Sequence, residues 1–323
     1  MRNKKAIPFA PPLALIALLA LALCGCASPS RAPRASARAF EHPQWGASIH
    51  LANNEVEAII APERGGRLMH YSRLGAPNLL WTAPDIDSGH GDQWGWRNWG
   101  GEKTWLWPQD DWPNVWPPAL DVEQAPWHLD GIRETKREKI HWLEIALSAE
   151  TFAGKMTRTI SMPSAGTQLE ISATLENNAA TTAVSTATNA AAAYSVWSVL
   201  QIPVPEIVGA NRTEPRRLLL RLPGSDNAIA MRDSGTLDLA STPGGVKGML
   251  DADAFRVPTA QGVLVARQRI DESAESEYKE IYRAQICKSI ERDGDAYVEL
   301  EFAAPLPAAG KLKSRQRVEL SLE

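Results

Sequence analysis

Cysteine, histidine and helical periodicity are all scarce in this chain, and each scarcity removes a class of function. The 323 residues hold three cysteines, at 24, 26 and 287, and six histidines, all before residue 142. No Cys-x-x-Cys pair and no His-x-x-x-His spacing occurs, which excludes the common zinc sites. No glycine-rich loop leads into a helix, which excludes the usual phosphate cradles. Asp85, Asp87, Asp92, Asp110 and Asp111 supply oxygen of the kind calcium accepts, but their spacing matches no known cation loop. Neither a metal nor a cofactor is expected. A net charge of −4 argues against nucleic acid as a partner. No repeat of fixed period is present, which disfavours propellers and solenoids.

The N-terminus carries a different kind of signal. Arg2, Lys4 and Lys5 form a short basic head, followed by an apolar run from Ala6 to Leu23. The run is too short and ends too abruptly for a spanning helix, and its layout is that of a secretory signal. It closes on Leu23-Cys24-Gly25-Cys26, which resembles the bacterial lipobox. A thiol preceded by a small residue is what lipid transfer and signal cleavage require. Residues 1–25 are expected to be a signal peptide, with Cys26 the lipidated residue holding the chain to a membrane. Residues 26–40, rich in Ala, Ser, Pro and Arg, are expected to be a disordered tether. Ala27 and Ser28 carry no acidic retention signal, so the expected location is the cell envelope, at the outer membrane. Cys287 would then be the one thiol of the mature body, with no disulfide possible and an inert, buried role expected.

The body, residues 41–323, reads as strands. Alternating or apolar segments occur at Ser48–Ala52, Glu55–Ala61, Arg67–Arg73, Ile140–Ser148, Lys155–Ser161, Gln168–Glu176, Tyr194–Ile202, Arg217–Leu222, Gly262–Arg269, Ala296–Phe302 and Arg317–Leu322. Asn53-Asn54 tolerates the positive φ of a tight hairpin. Glu299, Glu301 and Glu319 alternate with apolar neighbours, the pattern of a sheet with one wet face. Ala179–Ala193 is rich in alanine, but its threonines and valine oppose a stable helix. The fold class expected is all-β, a large antiparallel β-sandwich.

Eight of the twelve tryptophans fall between Trp94 and Trp127. The prolines at 108, 113, 117, 118 and 126 prevent this stretch from being one regular element. Amides, carboxylates and cations interleave with the indoles. Indole faces stack on the C–H faces of sugar rings while polar groups bond the hydroxyls, so the composition suits a saccharide. The same composition also suits indoles that merely cover one end of a sandwich.

Two segments carry a family resemblance. Pro62-Glu63-Arg64-Gly65-Gly66-Arg67-Leu68, followed by Gly75 and Asn78-Leu79-Leu80-Trp81, resembles the opening of galactose mutarotase-like proteins. Asn98-Trp99-Gly100-Gly101-Glu102-Lys103-Thr104-Trp105-Leu106-Trp107-Pro108-Gln109 resembles the Gly-Gly-acid-Lys-x-Trp-x-x-Pro-Gln signature of an uncharacterised branch of that superfamily. Tyr194–Gln201 and Tyr297–Glu301 are similar to two later strands. The resemblance implies a β-supersandwich that binds saccharides in a cleft across one sheet. The epimerases of that superfamily supply a glutamate and histidines as base and acid, yet Ala193-Tyr194-Ser195-Val196-Trp197 holds no histidine where one should stand. His70, on the strand after the first Gly-Gly turn, and His90, just before the tryptophan-rich stretch, could each reach a cleft, and each also suits a surface or structural role.

The leading expectation is therefore a lipid-anchored protein whose partners are a membrane and a saccharide bound by Arg67, Asn98, Glu102, Lys103, Trp105, Trp107 and Gln109. Trp105 and Trp107 share a face with Lys103 if the segment is extended, with Glu102 on the other face. Two alternatives stand beside it. One is a sugar-active enzyme, an epimerase, lyase or hydrolase, with Glu102 and Lys103 an acid/base pair or a loop salt bridge. The other is a structural or assembly lipoprotein of the envelope.

Overall fold

Alternating side chains produce strands through most of the described residues. In the computed structural model the described residues are 34–85, 95–109, 112–113, 118–178, 194–205, 207–211, 230–233, 236–240, 246–250, 252–269, 284–290, 296–307 and 313–323. The signal, Cys26, Ala179–Ala193 and Arg217–Leu222 lie outside them. The first strands are β1 (Ser36–His42), β2 (Gly46–Ala52), β3 (Val56–Ala61), β4 (Arg67–Arg73) and β5 (Glu102–Trp107), and one helical turn, α1 (Leu120–Glu123), follows. Next come β6 (His128–Arg137), β7 (Ile140–Thr151), β8 (Gly154–Pro163), β9 (Leu169–Asn177) and β10 (Ser195–Pro203). Short strands β11 (Ile207–Asn211), β12 (Ala230–Asp233), β13 (Thr236–Asp238) and β14 (Val246–Leu250) precede β15 (Ala254–Thr259) and β16 (Gly262–Arg269). The last are β17 (Ala284–Ile290), β18 (Ala296–Ala303) and β19 (Lys313–Leu322).

A nine-stranded sheet runs β1-β2-β3-β4-β5-β10-β18-β17-β14, and a ten-stranded sheet runs β12-β13-β11-β15-β16-β19-β9-β8-β7-β6. Every pairing is antiparallel, as hairpin-rich alternation requires. The apolar sides of both sheets face each other. Leu68, Leu106, Val196, Leu200, Leu300 and Phe302 of one sheet share a single core with Ile145, Met156, Ile160, Leu175 and Val318 of the other. Central β10 is buried on both faces, which is why Ser195–Ile202 reads as a near-continuous run rather than a clean alternation.

Two local expectations change. The edge strand begins at Ser36, inside the span 26–40 expected as tether. An edge strand needs only a backbone partner, and β1 pairs with β2 along its whole length from Ser36↔Ala52 to His42↔Gly46 while its side chains stay largely outside. The Asn53 turn uses no positive φ. Instead Asn53 Oδ1 accepts from the backbone N–H of Glu55 at 2.8 Å and of Val56 at 2.9 Å, and its Nδ2 donates to Pro163 O and Gly166 O. The tight turn with two positive φ values lies instead at Glu138 and Lys139, between β6 and β7.

Candidate functional site

Strand β5 divides the expected site residues between two faces. Glu102 points between the sheets, where Arg158 Nη2 of β8 donates to its Oε2 and Ser198 Oγ donates to its Oε1 at 3.1 Å. Arg158 Nη1 also donates to Gly66 O at 2.9 Å, and neither member of the ion pair is exposed. Alternate residues Lys103, Trp105 and Trp107 therefore face outward, away from the ten-stranded sheet. Glu102 and Lys103 do not meet. They belong to separate ion pairs, neither of them a loop salt bridge.

Lys103 belongs to a network around Glu123, a residue that nothing but its place in the tryptophan-rich stretch singles out beforehand. Glu123 Oε1 accepts from Arg67 Nη2 at 2.5 Å, Trp96 Nε1 at 3.1 Å and Lys103 Nζ at 3.2 Å, and Oε2 accepts from Trp105 Nε1. Burial alone would raise the Glu123 pKa, but Arg67, Lys103 and the indole N–H hold it below the ordinary carboxylate value. Burial lowers the Lys103 pKa, opposed by Glu123. Arg67 Nη1 donates to Gly100 O at 2.7 Å, and Asn98 Oδ1 accepts from Gly100 N at 3.3 Å. The two Gly-Gly turns make this packing possible. A Cβ on Gly66, at φ 63°, would lie 2.7 Å from the Trp127 indole, and one on Gly101, at φ 76°, would lie 2.4 Å from Leu68 O. Arg67, Asn98, Lys103 and Trp105 thus form one buried assembly, with Trp107 and Gln109 half-buried at its margin.

Beyond it, the outer face of the central strands carries two further groupings. Trp105 and Trp107 meet Trp197 edge-on at 5.3 and 5.4 Å, and Trp105 meets Trp112 at 5.6 Å. Register then sets a polar floor beside the indoles. Gln201 lies opposite Glu299, which lies opposite Cys287, which lies opposite Lys247. Val199 lies opposite Lys103 and Glu301, and Glu301 lies opposite Gln285. Gln201 Nε2 donates to Glu299 Oε1 at 2.8 Å. Lys247 Nζ stands 3.2 Å from Glu301 Oε1 and 4.8 Å from the centre of the Trp197 ring.

Much of this floor is unpaired. Gln201 Oε1, both ends of the Gln285 amide and the Trp197 indole Nε1 are buried without a hydrogen-bond partner, and Glu301 Oε1 has only the Lys247 ammonium. Gln201, Gln285 and Glu301 are at most 1% exposed, whereas the Lys247 side chain is 32% exposed and Cys287 and Ser289 are half-buried. Burial pushes the Glu301 pKa up to about 7, with Glu299 adding to the rise and Lys247 opposing it. Glu299 and Glu301, expected on a wet face, are instead roofed. Alternation shows which residues share a face but not whether that face is covered.

The remaining candidates carry less. His70 is half-buried on the outer face, its Nε2 2.8 Å from Ser72 Oγ, with burial lowering its pKa. His90 lies outside the described residues, as do Asp87, Asp92, Asp110 and Asp111. Among the described residues no group of His, Cys, Asp or Glu is placed to hold a metal ion. Cys287 is half-buried rather than buried, and desolvation pushes its thiol up to about 12, so it stays protonated.

No known protein-family profile matches the chain, and no curated protein matches it. Solved structures do. A galactose mutarotase-like protein from Clostridium acetobutylicum is 10% identical, with a TM-score of 0.53 over 90% of this chain and 98% of its own. One from Lactobacillus casei is 11% identical, with a TM-score of 0.51 over 85% of this chain and all of its own. A TPR-domain containing protein from Parabacteroides distasonis gives a TM-score of 0.57 at 14% identity, over 85% of this chain, which spans 46% of that protein. The chain has the galactose mutarotase-like β-sandwich fold.

Proposed function

We propose that the protein binds a saccharide on the outer face of β10, β18, β17 and β14, bordered by the indoles that β5 contributes. The observation that carries this reading is the set of buried, unpaired polar atoms on Gln201, Gln285 and Trp197. An orphaned buried polar group costs about 1–3 kcal/mol, and a ligand rich in hydroxyls removes that cost on binding. The neighbouring indoles fit the same ligand, because a pyranose presents an apolar face beside its polar rim. Lys103, Trp105 and Trp107 share this face, with half-buried Trp107 nearest to solvent among the three. The solved galactose mutarotase-like structures agree with the reading at the level of fold. The full proposal places the protein in the cell envelope, held to a membrane by lipid on Cys26.

The test is titration of the body with a panel of mono- and oligosaccharides, followed by calorimetry and tryptophan fluorescence. Binding that weakens at least tenfold in both Gln201→Ala and Gln285→Ala, with melting temperatures retained, supports the reading. A panel in which no sugar changes either signal overturns it.

A second reading, a sugar-active enzyme, is favoured by Glu301. A carboxyl titrating near neutrality can both take and return a proton at physiological pH. Turnover of any bound sugar that is lost in Glu301→Gln while binding persists would support it.

A further inference from the structure

We propose that the bound saccharide is an amino sugar, held on this floor in preference to its neutral parent, and that phosphorylated sugars are rejected. This rests on the reading of the same face as a saccharide site. The orphaned atoms are unequal in kind. Gln201 must present its oxygen, because its Nε2 already donates to Glu299 and the reversed amide would set oxygen against carboxylate. Gln285 contributes one acceptor and one donor, the Trp197 indole contributes one donor, and Glu301 Oε1 is an acceptor whose one contact is the Lys247 ammonium at 3.2 Å. The two free amide oxygens thus stand beside two carboxylates, Glu299 and Glu301, that have one lysine between them.

The surrounding charges point the same way. Glu299 and Glu301 are neighbours on β18, and the cation directly on them, Lys247, is already paired with Glu301. Lys103 and Arg67 are committed to Glu123. A phosphate arriving here would bring only acceptors, and would meet two carboxylates with no uncommitted cation among the described residues of the floor. An ammonium brings three donors, no acceptor and the opposite charge. It suits the unpaired oxygens and favours the ionised form of Glu301, whose burial otherwise opposes ionisation. Gln201, Glu301 and Gln285 lie on three adjacent strands, so the acceptors span two inter-strand spacings, about 10 Å. One substituted pyranose covers that distance.

The test measures Kd at pH 7 for the full chain with glucosamine and galactosamine, with glucose and galactose, and with the corresponding 6-phosphates. The expected order is amino sugar tighter than neutral sugar by about fivefold or more, as for an added charge-assisted hydrogen bond, and phosphates weakest. In Glu301→Gln the ratio of amino to neutral sugar should fall toward one, with folding checked by thermal melting. If that variant does not fold, Gln285→Leu removes the neighbouring acceptor and should reduce the same ratio. Equal or weaker binding of the amino sugars, or phosphates that bind tighter than the parent sugars, overturns the inference while leaving the saccharide reading in place. Failure of all six sugars and of the wider panel overturns both.

Discussion

Arg158 of β8 reaches across the interior to Glu102 of β5, joining the two sheets through a fully buried ion pair. Ser198 Oγ and Gly66 O add one hydrogen bond to each member while Arg158 Nε stays unpaired, so each charge depends on the other for its neutralisation. Removing one partner strands the other in a low dielectric, a loss of about 3–5 kcal/mol. Arg158→Met and Glu102→Gln should each lower the midpoint of chemical denaturation sharply. The double variant Arg158→Met/Glu102→Gln should be less damaging than the two single losses summed. Because Glu102 faces away from the outer surface, any variant that remains folded should keep whatever sugar affinity the wild type shows. A selective loss of binding at full stability would contradict the placement.

Trp105 and Trp107 separate by the same logic of faces and cover. Both point outward, but Trp105 is buried and donates to Glu123, while Trp107 is half-buried beside Trp197. Trp105→Ala should cost about 3–5 kcal/mol of stability, the usual loss for a core indole. Trp107→Ala should cost distinctly less, and should reduce any sugar-induced fluorescence change. Thermal melts of the two variants side by side check the ordering.

Much of this arrangement is legible in the sequence, and the parts that are not share a cause. The bounds of β4 and β16 follow directly from the alternation in Arg67–Arg73 and Gly262–Arg269, because period-two patterning is a local property. The shared outward face of Lys103, Trp105 and Trp107 follows from the same period. Cover is not local. Lys247 meets Glu301 from 54 residues away, and Arg158 meets Glu102 from 56. Glu123 accepts from four side chains whose convergence depends on where the segment after β5 folds back. A glutamate alternating with leucine looks the same whether its face is wet, as the sequence suggested for Glu301, or roofed.

Glu301 gives a pH dependence with a definite sign. Its folded pKa, about 7, lies above its ordinary value of 4.5. The folded state therefore holds the proton more tightly, so this residue's contribution to stability is greatest below pH 4.5 and is lost as pH rises through 7. Relative to Glu301→Gln, the wild type should be more stable at pH 5 than at pH 8. Denaturation midpoints of both proteins at the two values test this. A difference between wild type and variant that does not change with pH would exclude Glu301 as a titrating group.

The anchoring proposal has its own readout. Cys26→Ala should move the protein from the membrane fraction to the soluble fraction, and mass spectrometry should show the loss of acyl mass. Unchanged fractionation and an unchanged lipid signal would overturn the role proposed for Cys26.

Glu123 ties the outer face to the segment that covers it. It is fully buried and ionised, and accepts from Arg67, Trp96, Lys103 and Trp105. Glu123→Gln preserves shape but leaves Arg67 and Lys103 without their counter-charge, and turns part of the acceptor into a donor facing other donors. The expected loss is about 3–5 kcal/mol, as for any buried pair deprived of one member. Lys103 should carry part of that loss, since burial already lowers its pKa and Glu123 is the largest influence opposing the change, with Glu299 adding to it. Replacing Lys103 as well, in Glu123→Gln/Lys103→Met, removes one stranded charge and should return a measurable share of the stability. The coupling energy from this cycle distinguishes a true network from independent contacts. Additive losses would mean that Lys103 and Glu123 are neighbours without dependence, and that Arg67 alone holds the carboxylate in its charged form.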